Sequence, residues 1–233
     1  GADGPRVHDS TTIQHVDPLP SRLVIVGGGF IGLEFAQMFA RFGSQVILLE
    51  AGETFAPALD SDIATRVRGM LEGEGITVVT GAQVTSFDDA GDHVDIVTGD
   101  RTFAADAVLV AAGRRPATED LNLAAAGVAT DERGYIIVDD QLRTNVEGVY
   151  AVGDVNGGPQ FTYVSLDDNR VLWDTLHDGP RRRDDRVGVP ATTFLEPPLS
   201  QVGMTMRQAR ESGRSVLVAT KDVAAIAAMP RPK

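Results

Sequence analysis

The chain has 233 residues, of which 42% are hydrophobic, so it can hold one large domain or two small ones. Its formal net charge of -12 would repel phosphodiester backbones and anionic lipid surfaces, which argues against nucleic acid or a membrane as a partner. The absence of cysteine excludes disulfides and thiolate chemistry within these residues, and the four histidines are too scattered to predict a metal site.

The amino-terminal residues give no sign of export or of membrane insertion. They lack the basic and apolar regions of a secretion signal, and no apolar run in the chain reaches the roughly 18 residues that a spanning helix needs. We therefore predict a cytoplasmic protein. Residues 1–20 contain three prolines and little periodicity, which predicts an extended connector.

From Arg22 the pattern becomes regular and predicts an α/β unit built from βαβ steps. Strand and helix alternate: a strand at 23–26, a helix to Phe42, a strand at 45–50, a helix from a cap at Asp60 or Ser61 to about Glu74, and a strand at 76–80. Strict alternation of apolar and polar residues over 83–105 then predicts an antiparallel meander. An apolar run within 107–116 ends in glycine and proline, which predicts the exit from this domain.

The second half of the chain is less regular. Apolar runs at 135–139 and 149–154 are followed by a predicted helix from about Thr162 to Leu176. The arginines at 181–183 and 186 are interrupted by two aspartates, so we interpret them as a solvated interdomain loop, with a binding patch as the alternative. An apolar segment at 191–196 and a short helix near 205–212 indicate the start of a third unit.

The glycines at 27, 29 and 32 form G-x-G-x-x-G between the first strand and the first helix, which is the context that a dinucleotide-binding turn requires. Gly27 permits the tight turn, Gly29 lets a pyrophosphate approach the backbone, and Gly32 lets helix and strand pack closely. The helix then offers amide groups and its positive dipole end to the phosphates. The alternative is a glycine turn that binds no ligand.

Glu50 ends the second strand, 18 residues after Gly32, where an acid can accept hydrogen bonds from the hydroxyls of the adenosine ribose. Its charge would repel a 2'-phosphate, and no arginine occurs in 51–65 to hold one, so we predict NAD rather than NADP. Glu34 has two readings. It shares a helical stripe with Gln37 and Arg41 and can mark a solvated face, or it can lie beside the nicotinamide.

Three sequence segments follow one another along the chain and together indicate a family: VIVGGGFIGLEFAQMFARFGSQVILLE at 24–50, VLVAAGRRPAT at 108–118 and VYAVGDVNGGPQFTYVSLDDNRV at 149–171. With them the chain resembles the pyridine nucleotide-disulfide oxidoreductases, which include lipoamide dehydrogenase, glutathione reductase and mercuric reductase. The last segment is most similar to the mercuric-reductase-like branch that contains the reactive-chlorine-resistance flavoproteins. The resemblance covers nearly the whole chain.

The resemblance implies a Rossmann-like FAD/NAD(P)-binding α/β fold of three layers, with a parallel sheet and an antiparallel meander. It divides the chain into a connector from the FAD domain (1–20), the NAD-binding domain (21–116), a returning FAD-domain segment (117–186) and the start of an α+β dimerisation domain (187–233). The implied enzyme passes hydride from NADH to FAD and then to a disulfide, a metal ion or another small-molecule acceptor, and acts as a homodimer. A non-catalytic dinucleotide-binding module is the alternative.

The resemblance also implies roles for single residues. Asp154 would bind the flavin ribityl chain, with an ordinary turn aspartate as the alternative. The helix near Thr162 would point at the flavin ring, whose charge changes on reduction. Phe30 would cover the flavin and swing aside for nicotinamide, with core packing as its alternative. Glu34 would pair with a lysine near the flavin. The cofactor-binding residues predicted in all are Gly27, Gly28, Gly29, Phe30, Ile31, Gly32, Glu50, Ala112, Gly113, Arg114, Gly153, Asp154, Phe161 and Thr162.

Several parts of the family pattern do not occur in these residues: an amino-terminal FAD-binding glycine turn, the C-x-x-x-x-C redox pair and a histidine-glutamate acid/base pair. Met206 stands where relatives carry glutamate. We therefore expect the chain to be a piece of a longer enzyme and to be inactive alone.

Overall fold

The computed structural model describes residues 1–222, so residues 223–233 of the predicted dimerisation-domain segment lie outside the described part. The chain forms two compact units. Gly1–Gly113 and the described residues from Thr192 to 222 make the first, and Arg114–Ala191 make the second. The predicted domain limits at 116 and 186 fall within a few residues of these divisions, and the assignment of each domain stays a prediction.

The first unit is built on a five-stranded parallel sheet with the strand order β1-β8-β2-β3-β4. Its strands and helices are β1 (Val7–His8), β2 (Arg22–Val26), α1 (Phe30–Phe42), β3 (Gln45–Leu49), α2 (Ser61–Gly73), β4 (Thr77–Val79) and β8 (Ala107–Val110). Between β4 and β8 in the sequence, the chain forms an antiparallel sheet of three strands: β5 (Val84–Asp89), β6 (Val94–Thr98) and β7 (Thr102–Ala105). These bounds match the predicted elements closely.

Side chains that alternate along β2 show how the layers pack, because successive residues of a strand point to opposite faces. Leu23 and Ile25 are fully buried in the core that contains residues of α1 and α2. Val24 is buried on the other face, in the core that contains Val94 and Ile96 of β6. The parallel sheet therefore lies between a helical layer and the meander, and the predicted three-layer α/β fold class is confirmed.

Residues 1–20 are predicted to form an extended connector, but part of this segment forms a strand of the sheet. Val7 and His8 pair in parallel with Val108 and Leu109 and form the edge of the sheet as β1. A further part of the same segment packs inward, since Ile13 is fully buried in the core beside the helices. A two-residue strand is too short to give an alternation pattern, so the sequence could predict its extended backbone but not its pairing.

The second unit contains one long helix, α3 (Thr162–Leu176), whose bounds are those predicted. A short 3-10 helix at Gly153–Asn156 precedes it. The apolar runs at 135–139 and 149–154 form no ladder and make only isolated bridges, Thr130 with Ile136 and Arg143 with Tyr150. They bury Ile136 and Ala151 in a small core with Val128.

The chain after residue 189 forms β9 (Pro190–Thr193), β10 (Leu199–Val202) and α4 (Met206–Glu211). The residues from Thr192 belong to the first unit. Leu195 lies in its helical core, although the sequence indicated the start of a separate unit. No helix among residues 1–222 is both long and apolar enough to cross a membrane.

Asp60 attaches α4 to the rest of the first unit. It stands at the N-cap position of α2, as predicted, but it gives that helix no side-chain cap. Its carboxylate accepts instead from the backbone amides of Met206 and Arg207, at 2.7 and 3.1 Å. The carboxylate of Asp60 therefore places a negative charge at the start of α4. The first residue of this helix is Met206, where the family pattern has a glutamate.

Replacing Asp60 with alanine should therefore loosen α4 and leave α2 intact. The loss of a cap carboxylate costs about 0.5 to 2 kcal/mol of local stability. Protection of the backbone amides from hydrogen exchange should fall at residues 206–211 but not in the first turn of α2. Asp62→Ala, which removes an acid from that first turn, is the matched control. Equal loss of protection in both variants would contradict the assignment.

Candidate functional site

Two glycines of the turn between β2 and α1 are required by the fold itself. Gly27 has φ of +110°, and a Cβ there would lie 2.5 Å from the carbonyl oxygen of Ala111. A Cβ on Gly32 would lie 1.9 Å from the carbonyl oxygen of Gly27. Both distances are far shorter than any van der Waals contact, so the turn closes against β8 and against α1 only with glycine at these positions.

The middle glycine has no such structural reason. Gly29 has φ of -79° and ψ of -179°, which is extended backbone that any residue adopts, and a Cβ there would meet no atom within 4 Å. It lies immediately before α1, whose start has no side-chain cap and no acidic residue in its first turn. The fold therefore leaves open space at the one glycine that the dinucleotide motif reserves for the approach of a phosphate.

Glu50 follows β3, and two backbone amides hold its carboxylate beside the turn. One oxygen accepts from the amide of Gly28 at 3.0 Å and the other from the amide of Gly52 at 2.9 Å. The Gly28 amide is thus directed at Glu50. Each carboxylate oxygen has two lone pairs, so both can still accept a hydroxyl. This arrangement orients an acid at the strand end, where the sequence predicted contact with a ribose.

The segment after β8 completes the surroundings of the turn. Ala111 donates to the carbonyl of Val26, and the backbone nitrogen of Ala112 lies 2.9 Å from the position that a Gly27 Cβ would take. The structure thus brings Ala112 and the neighbouring Gly113, both predicted cofactor residues, to the glycine turn. Arg114 belongs to the second unit.

Three further predicted residues lie on the first turns of α1. Phe30 is 41% exposed, so core packing does not explain it. Ile31, also a predicted cofactor residue, follows it and is partly buried. Glu34 is half-buried, and its carboxylate accepts from the backbone amide of Phe194 at 2.8 Å.

The helical stripe that contains Glu34 is not simply solvated. Gln37 binds both backbone groups of Glu196, accepting from its amide at 2.7 Å and donating to its carbonyl at 3.0 Å. Arg41 donates to the same carbonyl at 3.3 Å and pairs with Glu74 at 2.9 Å. These bonds hold the pKa of the Glu74 carboxyl below its ordinary value, chiefly through Arg41. The stripe thus fixes the backbone of residues 194–196 along α1.

The second unit holds the residues predicted to bind the flavin ribityl chain and to point a helix at the flavin ring. Gly153 has φ of +75°, which suits glycine, and opens the 3-10 turn Gly153–Asn156. Asp154 in that turn has a half-exposed side chain, 3.9 Å from Arg114. Phe161 is the N-cap residue of α3, which begins at Thr162 without a side-chain cap. Arg114, Asp154 and the start of α3 thus all lie within one compact unit.

The sequence missed a buried ionic network next to this turn. Asp168 is 1% exposed and accepts from the Gly153 amide, from Asn156 and from Arg186. Arg186 also pairs with Asp167 at 2.7 Å, and its side chain is only 13% exposed. The interpretation of Arg186 as part of a solvated loop is therefore wrong, because two carboxylates on α3 draw it inward.

Protonation in this network follows from the pairing. Burial raises the pKa of the Asp167 carboxyl, but hydrogen bonds from Arg186 and Arg181 outweigh it and hold the pKa below its ordinary value. For Arg186 burial lowers the pKa, but the hydrogen bonds to Asp167 and Asp168 have the larger effect, so the pKa of the Arg186 guanidinium lies above its ordinary value. The carboxylate of Asp167 and the guanidinium of Arg186 are both charged at neutral pH.

Comparison with known proteins identifies the class. A family model described as pyridine nucleotide-disulphide oxidoreductase matches residues 1–168, and the chain belongs to this family. It is 47% identical over 223 residues to a probable pyridine nucleotide-disulfide oxidoreductase, RclA of Escherichia coli, covering 95% of this chain and 51% of that protein. It is 36% identical to a mercuric reductase of Lysinibacillus sphaericus, over 89% of this chain and 39% of the relative.

A solved structure gives the same result. The HOCl-induced flavoprotein disulfide reductase RclA from Escherichia coli matches with a TM-score of 0.92 at 46% identity, covering 97% of this chain and 52% of that one. The chain spans about half the length of RclA and 39% of the length of the mercuric reductase. The family predicted from the three sequence segments, its mercuric-reductase-like character and its oxidoreductase class are confirmed.

Proposed function

We propose that this chain supplies the NADH-binding part, and some of the FAD contacts, of an enzyme that passes hydride from NADH to FAD and on to an acceptor. The single observation that supports it most is the pair formed by an unobstructed Gly29 and an oriented Glu50 beside one turn. Binding of NADH to the 233-residue chain, measured by calorimetry, is the direct test.

The nucleotide fits the first unit as follows. The amides at the start of α1 would bind the pyrophosphate next to Gly29, and Glu50 would accept hydrogen bonds from the adenosine ribose. Both carboxylate oxygens of Glu50 are held by backbone amides, so the acid is already oriented before a nucleotide arrives. Phe30 and Glu34 lie further along α1 and would face the nicotinamide end.

The flavin fits the second unit. Asp154 would accept from the hydroxyls of the ribityl chain, and the uncapped start of α3 at Thr162 would offer its positive dipole end to the ring. When bound, the flavin takes up hydride from the nicotinamide and releases electrons singly or in pairs. The proposed role of the chain is to bind NADH in the first unit and to supply part of the contacts to FAD from the second.

The acceptor would be a disulfide, a metal ion or another small molecule. Relatives named as a flavoprotein disulfide reductase and as mercuric reductases support this range. These residues contain no cysteine, so a disulfide in the electron path would come from outside them. The homodimeric state and the cytoplasmic address stay predictions.

The choice between NADH and NADPH tests the role of Glu50. We expect the chain to bind NADH more tightly than NADPH, because the carboxylate repels a 2'-phosphate. Glu50→Ala should weaken NADH binding by about 1 to 3 kcal/mol, the usual cost of losing such hydrogen bonds. Titration calorimetry with both nucleotides gives the two affinities.

Glu53→Ala is the control for this variant, since it removes an acid from the same loop three residues further on. It should leave the preference unchanged. Equal affinities for both nucleotides in the unmodified chain, or tighter NADPH, would overturn the assignment to NAD.

A further inference from the structure

The 3-10 turn Gly153–Asn156 carries Asp154, and one buried carboxylate holds both of its ends. The same oxygen of Asp168 accepts from the Gly153 amide at 2.7 Å and from the Asn156 side chain at 2.8 Å. Gly153 and Asn156 are the first and last residues of the turn. The position of Asp154 between them is therefore set by a side chain that does not itself face solvent.

The structure pairs this buried carboxylate with a cation. Asp168 is 1% exposed, and its other oxygen bonds to Arg186. A buried carboxylate without a cation would destabilise the fold. Arg186 therefore offsets the free-energy cost of burying the Asp168 carboxylate that holds the turn. Arg186 reaches α3 from the short 3-10 helix at Arg183–Asp185 that ends just before it.

We propose that Asp168, neutralised by Arg186, is a positioning residue for FAD: it fixes the turn that presents Asp154 to the ribityl chain. The arginine-rich loop thereby becomes part of the flavin site without touching the flavin. This inference rests on the proposed function, because it needs Asp154 to bind FAD.

Asp167 provides a matched control. It lies next to Asp168 on α3, pairs with the same Arg186, and makes no bond to the turn. Asp167→Ala and Asp168→Ala each remove one charge together with both carboxylate oxygens, and each leaves Arg186 with one carboxylate. The two variants differ in whether the turn loses its acceptor, so a purely stabilising ion pair would make them alike.

The experiment uses the full-length FAD-bearing protein and measures the FAD dissociation constant by flavin fluorescence, well below the thermal midpoint of each variant. We expect Asp168→Ala to weaken FAD binding at least about tenfold and Asp167→Ala to change it less than about threefold, since only the first loses hydrogen bonds of the turn. NADH affinity, set in the first unit, should stay constant in both.

Equal effects of the two variants on FAD binding, or none from Asp168→Ala, would overturn the proposal. If Asp168→Ala does not fold, Arg186→Gln decides, because it removes the positive charge that offsets the burial of the Asp168 carboxylate. It should weaken FAD binding several-fold, and an unchanged affinity would refute the positioning role. Asp154→Ala separates the two levels: if it leaves FAD affinity unchanged, the proposed flavin contact fails, whereas a loss there with an unchanged affinity in Asp168→Ala removes only the positioning role.

Discussion

Gly29→Val is expected to lower NADH affinity at least about 100-fold while the chain stays folded. The physical reason is that Gly29, unlike Gly27 and Gly32, has free space where a side chain would lie. A side chain at Gly29 meets no protein atom within 4 Å, and the backbone there is ordinary extended conformation. The valine would therefore occupy space that only a ligand needs, beside the amides that we propose bind the pyrophosphate. Calorimetry gives the affinity, and circular dichroism with a thermal melt reports the fold.

Two comparison variants make the result specific. Gly69→Val places the same side chain on α2, at another glycine with no atom within 4 Å of its would-be Cβ, and should leave NADH affinity unchanged. Gly32→Val should unfold the turn, because its Cβ would lie 1.9 Å from a carbonyl oxygen. Retained NADH binding in folded Gly29→Val would mean that the phosphates bind elsewhere.

The 233-residue chain is expected to hold FAD at least about a thousandfold more weakly than the full-length enzyme. The flavin ring and ribityl chain would meet Asp154 and the start of α3, but the adenosine diphosphate half needs a phosphate turn of its own. The sequence has one G-x-G-x-x-G turn, at 27–32, and we assign it to NADH. Most of the contact surface for FAD is therefore missing from these residues.

The measurement is the absorption spectrum after incubation with FAD and desalting, with the full-length enzyme treated in the same way. A flavin band near one equivalent in the 233-residue chain would show that the glycine turn has been misassigned. The second unit, to which we assign the flavin contacts, exposes apolar side chains, among them Val152 and Trp173, so we also expect it to self-associate without FAD.

The sequence predicted the first unit well because its signals are local. Apolar runs separated by glycine turns set β2, α1 and β3 almost to the residue, and the motif glycines needed no tertiary information. Glu50 could be found for the same reason, since a fixed spacing from the glycine turn brings it to the end of the neighbouring strand.

The contacts that the sequence missed all join residues far apart in the chain. Nothing local indicates that Glu34 and Gln37 bind the backbone at residues 194–196, some 160 positions later. Asp168 did carry a usable signal: it shares the buried face of α3 with Val164 and Val171, four residues before it and three after. A carboxylate in that register predicts a buried charge with a cation nearby, and the arginines at 181–186 were available.

The pairing of β1 with β8 has a practical consequence for cutting this protein into parts. A fragment that begins at residue 21, where the pattern of the α/β unit starts, would lose β1 and uncover the edge of β8 at Val108 and Leu109. Unpaired strand edges recruit other strands, and the residues along this one are apolar. The shortened piece would tend to aggregate through that edge, so recombinant versions of the nucleotide-binding unit should retain residues 1–20.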